Sequence, residues 1–340
     1  MIKKAIEILV TGQSLTIEEA SLVMEKIMQG EVTQAQFGAL VTALRLKGET
    51  VEEIVGFAIT MKSKAVSLSI DAPLVDTCGT GGDGAKTFNI STAAAFVAAG
   101  TGLKVAKHGN RAMSSRCGSA DLLEELGIKI DLDNIQVKKC IEEIGIGFIF
   151  APIFHPAMKY ASVPRREIGI RTVFNILGPL TNPAGAKAQV LGVADAALVE
   201  KLALALNKLG CQHALVVHGD DGLDEITLTT TTIISELNND IIKNYTITPE
   251  DFGLSRVNID KLRGGTVSEN AEILLKVLNG FSGPQQDVVV MNTAAVLLAG
   301  DRVSTFQDGV ELAREVIENG KALEKLNQLI NFSQGIVKEE

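Results

Sequence analysis

The chain has 340 residues, 46% of them hydrophobic but only 4% aromatic and none Trp, so it can bury a large core that must be aliphatic and alanine-rich. Its formal net charge of −9 argues against nucleic acid or an anionic membrane as the main partner. The cysteines Cys78, Cys117, Cys140 and Cys211 lie far apart, which excludes a C-x-x-C metal or redox motif and speaks against a disulfide framework.

In chain order, the first 64 residues read as four short helices. Ile2, Ala5, Ile6, Leu9 and Val10 keep helical spacing, while Thr16 with Glu19, Thr33 with Gln36 and Thr50 with Glu53 form three capping boxes ahead of apolar faces. Glu7 interrupts any signal-peptide core, and no apolar run approaches the roughly 18 residues of a membrane span, so no membrane partner and a cytoplasmic location are expected. From Pro73 the texture changes to alternating strand and helix patterns. Strands are expected at Leu74–Thr77, Lys104–Ala106, Gly147–Phe150, Gln189–Val193 and Ala214–Val217, and helices at Ile90–Ala99, Ala120–Leu126, Asn134–Ile144 and Ala196–Leu209. The fold class is therefore α/β: a small all-α domain over 1–70, and a large domain over 71–340 whose central, mostly parallel sheet is flanked by helices. The proline-rich stretch Pro152–Pro183, with a short helix near Ile170–Leu177, is expected to leave the sheet and return, residues 155–185 joining the N-terminal helices. Thr227–Ile247 reads as strand or hairpin, and the chain from Ser268 onward as mainly helical.

The densest signal is Val75–Thr92, VDTCGTGGDGAKTFNIST, where a strand runs into a loop of four glycines and then a helix. Glycines let backbone N–H groups turn inward on an anion, and the helix N-terminus adds partial positive charge. Lys86-Thr87 follows Ala85 rather than glycine, which rules out a P-loop. Gly79, Gly81 and Gly84 match G-x-G-x-x-G, but basic Lys104–Lys107 stands where a dinucleotide site needs an acid. Lys107-His108-Gly109-Asn110-Arg111 is a second anion-reading stretch, at the end of the next strand, and Ser119 reads as a helix N-cap beyond it. Two such segments in one α/β unit point to a substrate with more than one phosphate.

At a third strand end lies His218–Glu225, where Asp224 and Glu225 are adjacent hard oxygen donors suited to Mg²⁺ beside a polyphosphate. Arg165 and Arg166 sit on the irregular proline-rich segment, where one guanidinium can clamp a carboxylate, and His155 either lines a pocket or starts a short helix. Cys78, inside the glycine loop, reads as a small buried filler. No Ser–His–Asp or Cys–His set stands out, so no covalent intermediate is expected and positioning replaces a catalytic nucleophile.

GTGGD at Gly79–Asp83, TFNIST at Thr87–Thr92, KHGNR at Lys107–Arg111, the run Arg165–Arg171, FNILGPLTNP at Phe174–Pro183 and Asp224-Glu225 together resemble the anthranilate phosphoribosyltransferase family, in order over most of the chain. The resemblance implies a homodimer that transfers the phosphoribosyl group of phosphoribosyl pyrophosphate to the amine of anthranilate in tryptophan biosynthesis. It implies that Gly79, Gly82, Asp83, Thr87, Asn89, Ile90, Ser91, Thr92, Lys107, His108, Gly109, Asn110, Ser115 and Ser119 bind phosphoribosyl pyrophosphate. Gly79, Asn110, His155, Arg165 and Gly178 would bind anthranilate, with Arg165 on its carboxylate, and Ser91, Asp224 and Glu225 would serve Mg²⁺. The chain departs from the family pattern at Lys86, where a neutral polar residue, usually Asn, is expected, at apolar Ile153-Phe154, and at Pro164. Two other readings share the plan: a pyrimidine nucleoside phosphorylase, and a non-catalytic nucleic-acid-binding relative, the latter disfavoured by the acidic charge and by Asn110 and Arg165 being present.

Overall fold

A computed structural model describes residues 1–112 and 116–336. Helices α1 (Ile2–Val10), α2 (Ile17–Met28), α3 (Gln34–Lys47) and α4 (Val51–Ser63) form an N-terminal bundle. Thr16, Thr33 and Thr50 each accept from the backbone N–H three residues on, and Glu19, Gln36 and Glu53 return the bond, so all three expected capping boxes are present. The third box is buried. The carboxylate of Glu53 accepts the Leu15 and Thr50 N–H groups at 3.0 and 2.8 Å and pairs with Lys47 at 2.9 Å.

The α/β part runs β1 (Leu74–Gly79), α5 (Ile90–Gly100), β2 (Lys104–Gly109), α6 (Ser119–Glu125), α7 (Asn134–Lys139), β3 (Ile146–Phe150), α8 (Ala151–Phe154), α9 (Lys159–Ile168), α10 (Phe174–Leu177), β4 (Ala188–Gly192), α11 (Val199–Lys208) and β5 (His213–Gly219). A hairpin of β6 (Thr232–Asn238) and β7 (Ile241–Ile247) and the helices α12 (Val267–Leu278), α13 (Pro284–Ala299), α14 (Phe306–Glu318) and α15 (Lys321–Ile336) complete it. The seven strands are ordered β3-β2-β1-β4-β5-β6-β7. β1 to β5 are parallel, and β6 and β7 extend the edge antiparallel. Chain order reverses between β1 and β4, the kind of switch point where open α/β sheets place ligands.

One core packs the sheet against α5 and the C-terminal helices through Val75, Phe96, Val105, Val217 and Val296. The other joins the N-terminal bundle to α9 and α10 and continues through α11 onto the opposite sheet face at Leu191 and Val216. Two expectations need correction. The proline-rich stretch holds a ten-residue helix, α9, whose Ala161 and Pro164 bury against the bundle, while the short helix after it covers only Phe174–Leu177. Arg165 and Arg166 therefore stand on a helix rather than on irregular chain. Burial of this face outweighs the ladder bond that Pro164 forgoes.

Candidate active site

β1 ends at Gly79, and the loop beyond it turns through Gly81, Gly82 and Gly84 at φ of 67°, 72° and 74°, a left-handed backbone that glycine adopts without strain. A Cβ on Gly79 would collide with the Asp224 carboxylate, so glycine there lets the strand end approach the acidic pair. Lys86 also turns left-handed, at φ 57°, with an exposed side chain, and Asn tolerates that conformation better than Lys. The loop is clamped from behind by the chain after β7: Phe88 N–H donates to Leu262 O at 3.2 Å and Gly264 N–H to Lys86 O at 2.9 Å. Asn89 caps α5 without a side-chain bond; its amide donates to Cys117 O, and its buried Oδ1 has no partner among the described residues. Ile90 and Thr92 are buried on α5, and Thr87 bridges to Arg263.

Lys107 is 3% exposed near the carboxyl end of β2, its ammonium donating to Thr77 O at 2.6 Å and reaching Ser91 Oγ at 3.4 Å. Burial lowers its pKa, opposed by the charge of Asp76. The Ser91 N–H, one of the free donors at the α5 N-terminus, is taken by Glu225 Oε1 at 3.1 Å, and the Gly81 N–H by Asp224 Oδ2 at 2.6 Å. Burial pushes the Glu225 carboxyl up to about 7 and, together with Asp83 and Glu225, lifts Asp224 well above the usual carboxylate range. Asp83, Asp224 and Glu225 thus repel one another at the mouth of a predicted anion site, an arrangement a hard cation relieves. Among the described residues no three His, Cys, Asp or Glu side chains form a closed metal cage, so phosphate oxygens would have to complete the coordination of any ion held there.

The next side chain along β2 lies in a drier setting. His108 Nδ1 bonds Gly178 O at 3.2 Å, and its ring lies 5.1 Å from that of His155. Among the described residues, His108 Nε2 and both ring nitrogens of His155 are buried without a well-formed hydrogen bond. Burial holds both rings neutral, lowering His108 to about 3, with His155 adding to the shift, and His155 to about 4. Arg165 is half-buried, 5.5 Å over the Phe174 ring, and among the described residues its guanidinium makes no ion pair; it donates only to Phe174 O at 3.4 Å. Asn110 is exposed at the end of the β2 loop, and its carbonyl accepts from the Ser119 hydroxyl and the Ala120 N–H. A Cβ on Gly109 would collide with Ser119 Oγ.

Two residues behave otherwise than the sequence suggests. Arg111 leaves the anion site to pair with Asp121 and Glu124 on α6, at 3.1 and 2.7 Å. Ser119 is the first residue of α6, and Gly118 takes the cap position, because the Asp121 carboxylate already accepts the Gly118 and Ala112 N–H groups. His218 is a core residue bonded to Val193 O at 2.7 Å. Ser115 lies outside the described residues. Cys78 faces Gln189 Nε2, and burial pushes its thiol well up, in keeping with a filler. Arg171, to which the sequence alone assigns no role, arches from the segment after α9 to donate to Gly81 O. Its place at the end of the arginine-rich run was the available signal.

Residues 3–65 match the family model for the glycosyl transferase family, helical bundle domain, and residues 71–323 that for the glycosyl transferase family, a/b domain. The chain is 55% identical over 338 residues to the anthranilate phosphoribosyltransferase of Dehalococcoides mccartyi, covering 99% of both. Its fold is similar to that of the Thermus thermophilus enzyme (TM-score 0.92, 44% identity, 97% of this chain and 99% of that one). It is likewise similar to the Saccharomyces cerevisiae anthranilate phosphoribosyltransferase solved with PRPP and Mg (TM-score 0.89, 30% identity, 98% of each chain).

Proposed function

The chain belongs to the anthranilate phosphoribosyltransferases, and from that membership we propose how its residues share the reaction. The chain is a pentosyltransferase that moves the phosphoribosyl group from phosphoribosyl pyrophosphate to the amine of anthranilate, releasing pyrophosphate, in tryptophan biosynthesis. The observation that carries the assignment of roles is the meeting of the glycine loop after β1, Lys107 on β2 and the Asp224–Glu225 pair in the loop after β5 at the carboxyl edge of the sheet.

The N–H groups of the glycine loop and the α5 N-terminus that Asp224 and Glu225 do not take, together with the Lys107 ammonium, hold the donor's phosphates, with Asn89 and Asn110 on its sugar side. Ser91, Asp224 and Glu225 hold Mg²⁺, a set supported by its hard oxygens, its raised carboxyl pKa values and the Mg-bound yeast relative. Bound there, Mg²⁺ would neutralise charge on the departing pyrophosphate. Arg165, which makes no ion pair among the described residues, takes the anthranilate carboxylate and turns the amine toward the sugar. His108, His155 and Gly178 form the dry wall that keeps water from the electron-poor sugar carbon. Because pyrophosphate is a good leaving group once its charge is met, no side-chain nucleophile enters.

The same membership supports a homodimer in the cytoplasm and a division into a helical domain over 1–70, joined by 155–185, and an α/β domain over 71–340. Light scattering at twice the mass of the chain would agree with the dimer. The direct test of function follows anthranilate fluorescence after adding phosphoribosyl pyrophosphate and Mg²⁺. Loss of signal that needs all three components is expected. A folded protein that leaves anthranilate unchanged but phosphorolyses thymidine would overturn the reading.

A further inference from the structure

β1 and β2 pair only at Leu74↔Lys104 and Val75↔Val105, yet both run four residues further. Beyond that point β1 keeps its ladder with β4 as far as Gly79↔Gly192, and β2 its ladder with β3 as far as Gly109↔Phe150. The sheet therefore splits between β1 and β2 on the approach to the site. Backbone groups in such a split need other partners.

Three side chains supply them. Asp76 Oδ1 accepts the His108 N–H at 3.3 Å, Asn182 Nδ2 donates to Ala106 O at 2.8 Å, and the Lys107 ammonium donates to Thr77 O at 2.6 Å. Asn182 Nδ2 also donates to Asp76 Oδ2 at 2.8 Å, which locks the first two together. Asp76 is 1% exposed and Asn182 7%. Alternation along the strands puts Asp76, with Asn182 and Gln189, on the face toward the N-terminal bundle, and Lys107, with Ser91, on the other face. The carboxylate and the ammonium therefore address the same split from its two sides, and each favours the charged form of the other.

We propose that Asp76 and Asn182 are positioning residues: wedged in the split between β1 and β2, they set where Lys107 and His108 stand to receive phosphoribosyl pyrophosphate. The inference rests on the donor-binding reading given above and adds to it the part that holds the strand end open. Neither residue touches the donor; both act through Lys107 and the His108 backbone. Asp76→Asn leaves one of two buried donors, the His108 N–H or the Asn182 amide, without an acceptor. Asn182→Ala removes the lock and frees Ala106 O.

The test is calorimetric titration of the full chain with phosphoribosyl pyrophosphate in Mg²⁺, with KM values for both substrates and thermal unfolding measured in parallel. Asp76→Asn and Asn182→Ala are each expected to weaken donor binding about tenfold or more, while the anthranilate KM moves less than about threefold. The double variant should be no weaker than the weaker single, because both substitutions open the same wedge. Should Asp76→Asn fail to fold, Asn182→Ala decides the matter alone. A folded variant with lowered Tm and unchanged donor affinity would overturn the proposal and leave the pair a purely structural role. A wild-type chain that binds no phosphoribosyl pyrophosphate would instead overturn the functional reading, and this inference with it.

Discussion

Arg165 and Lys86 show how the same charge plays different parts at one site. Arg165 is half-buried without an ion-pair partner among the described residues, and burial lowers its pKa, so the pocket gains when a carboxylate arrives. Arg165→Ala should raise the anthranilate KM by about tenfold to a hundredfold, the range of one charge-assisted contact, with the donor KM within about twofold. Steady-state kinetics with each substrate varied in turn measures this, and equal shifts in both would remove Arg165 from the carboxylate. Lys86 is exposed and held left-handed at φ 57°, which strains a long L side chain. Lys86→Asn should therefore stabilise the chain by about 0.5 kcal/mol in urea unfolding and leave both KM values in place. A marked rise in donor KM would mean instead that the ammonium reaches the diphosphate.

Among the elements, α4 depends on one carboxylate more than on its propensity. Glu53 is fully buried, closes the capping box, satisfies the Leu15 N–H and neutralises Lys47, whose side chain is 8% exposed. Glu53→Ala should cost about 3 to 5 kcal/mol, because it leaves a buried cation without its counter-charge and two N–H groups unmet. Glu53→Gln, which keeps an acceptor, should cost less. Chemical denaturation reports both, and a cost for Glu53→Ala within that of an exposed capping box would refute the account. α9 makes the complementary point: a proline in its middle and a polar composition hide a helix that exists because Ala161 and Pro164 dock on the bundle.

Across the whole molecule, the two neutral histidines link the site to stability. Burial holds His155 near 4 and His108 near 3 in the folded chain, against an ordinary value of 6.5. Unfolding lets both take up protons below about 6.5, so the stability they contribute is complete above that pH and is lost as the pH falls toward their folded values. Asp76 at about 6 and Glu225 at about 7 are raised by burial, and their contribution runs the other way, complete at low pH and lost as the pH rises through those values. A single variant isolates the histidine part. Between pH 7 and pH 5, wild type should lose about 2 kcal/mol relative to His155→Gln, a difference set by one depressed histidine. Parallel unfolding curves at the two pH values would show that His155 is not held neutral.

What the sequence by itself determined was local or periodic. The capping boxes join residues three apart, the five parallel strands announce themselves as apolar runs, and the glycine turns declare their backbone through residue type. The motifs at Gly79–Asp83, Lys107–Arg111 and Asp224-Glu225 could be set at strand ends because strand, loop and helix follow one another directly in the chain. The tertiary structure alone decided which of those ends meet and what each side chain does on arrival. Gly81 and Asp224 are 143 residues apart, Asp76 and Asn182 are 106 apart, and Arg171 crosses 90 residues to the glycine loop. Arg111 carries the same charge as Lys107 four residues earlier, but it pairs with α6 instead of facing the site. Nothing local distinguishes these outcomes. They follow from strand order, from the early end of the β1–β2 ladder, and from the requirement that buried polar groups find partners wherever folding brings them.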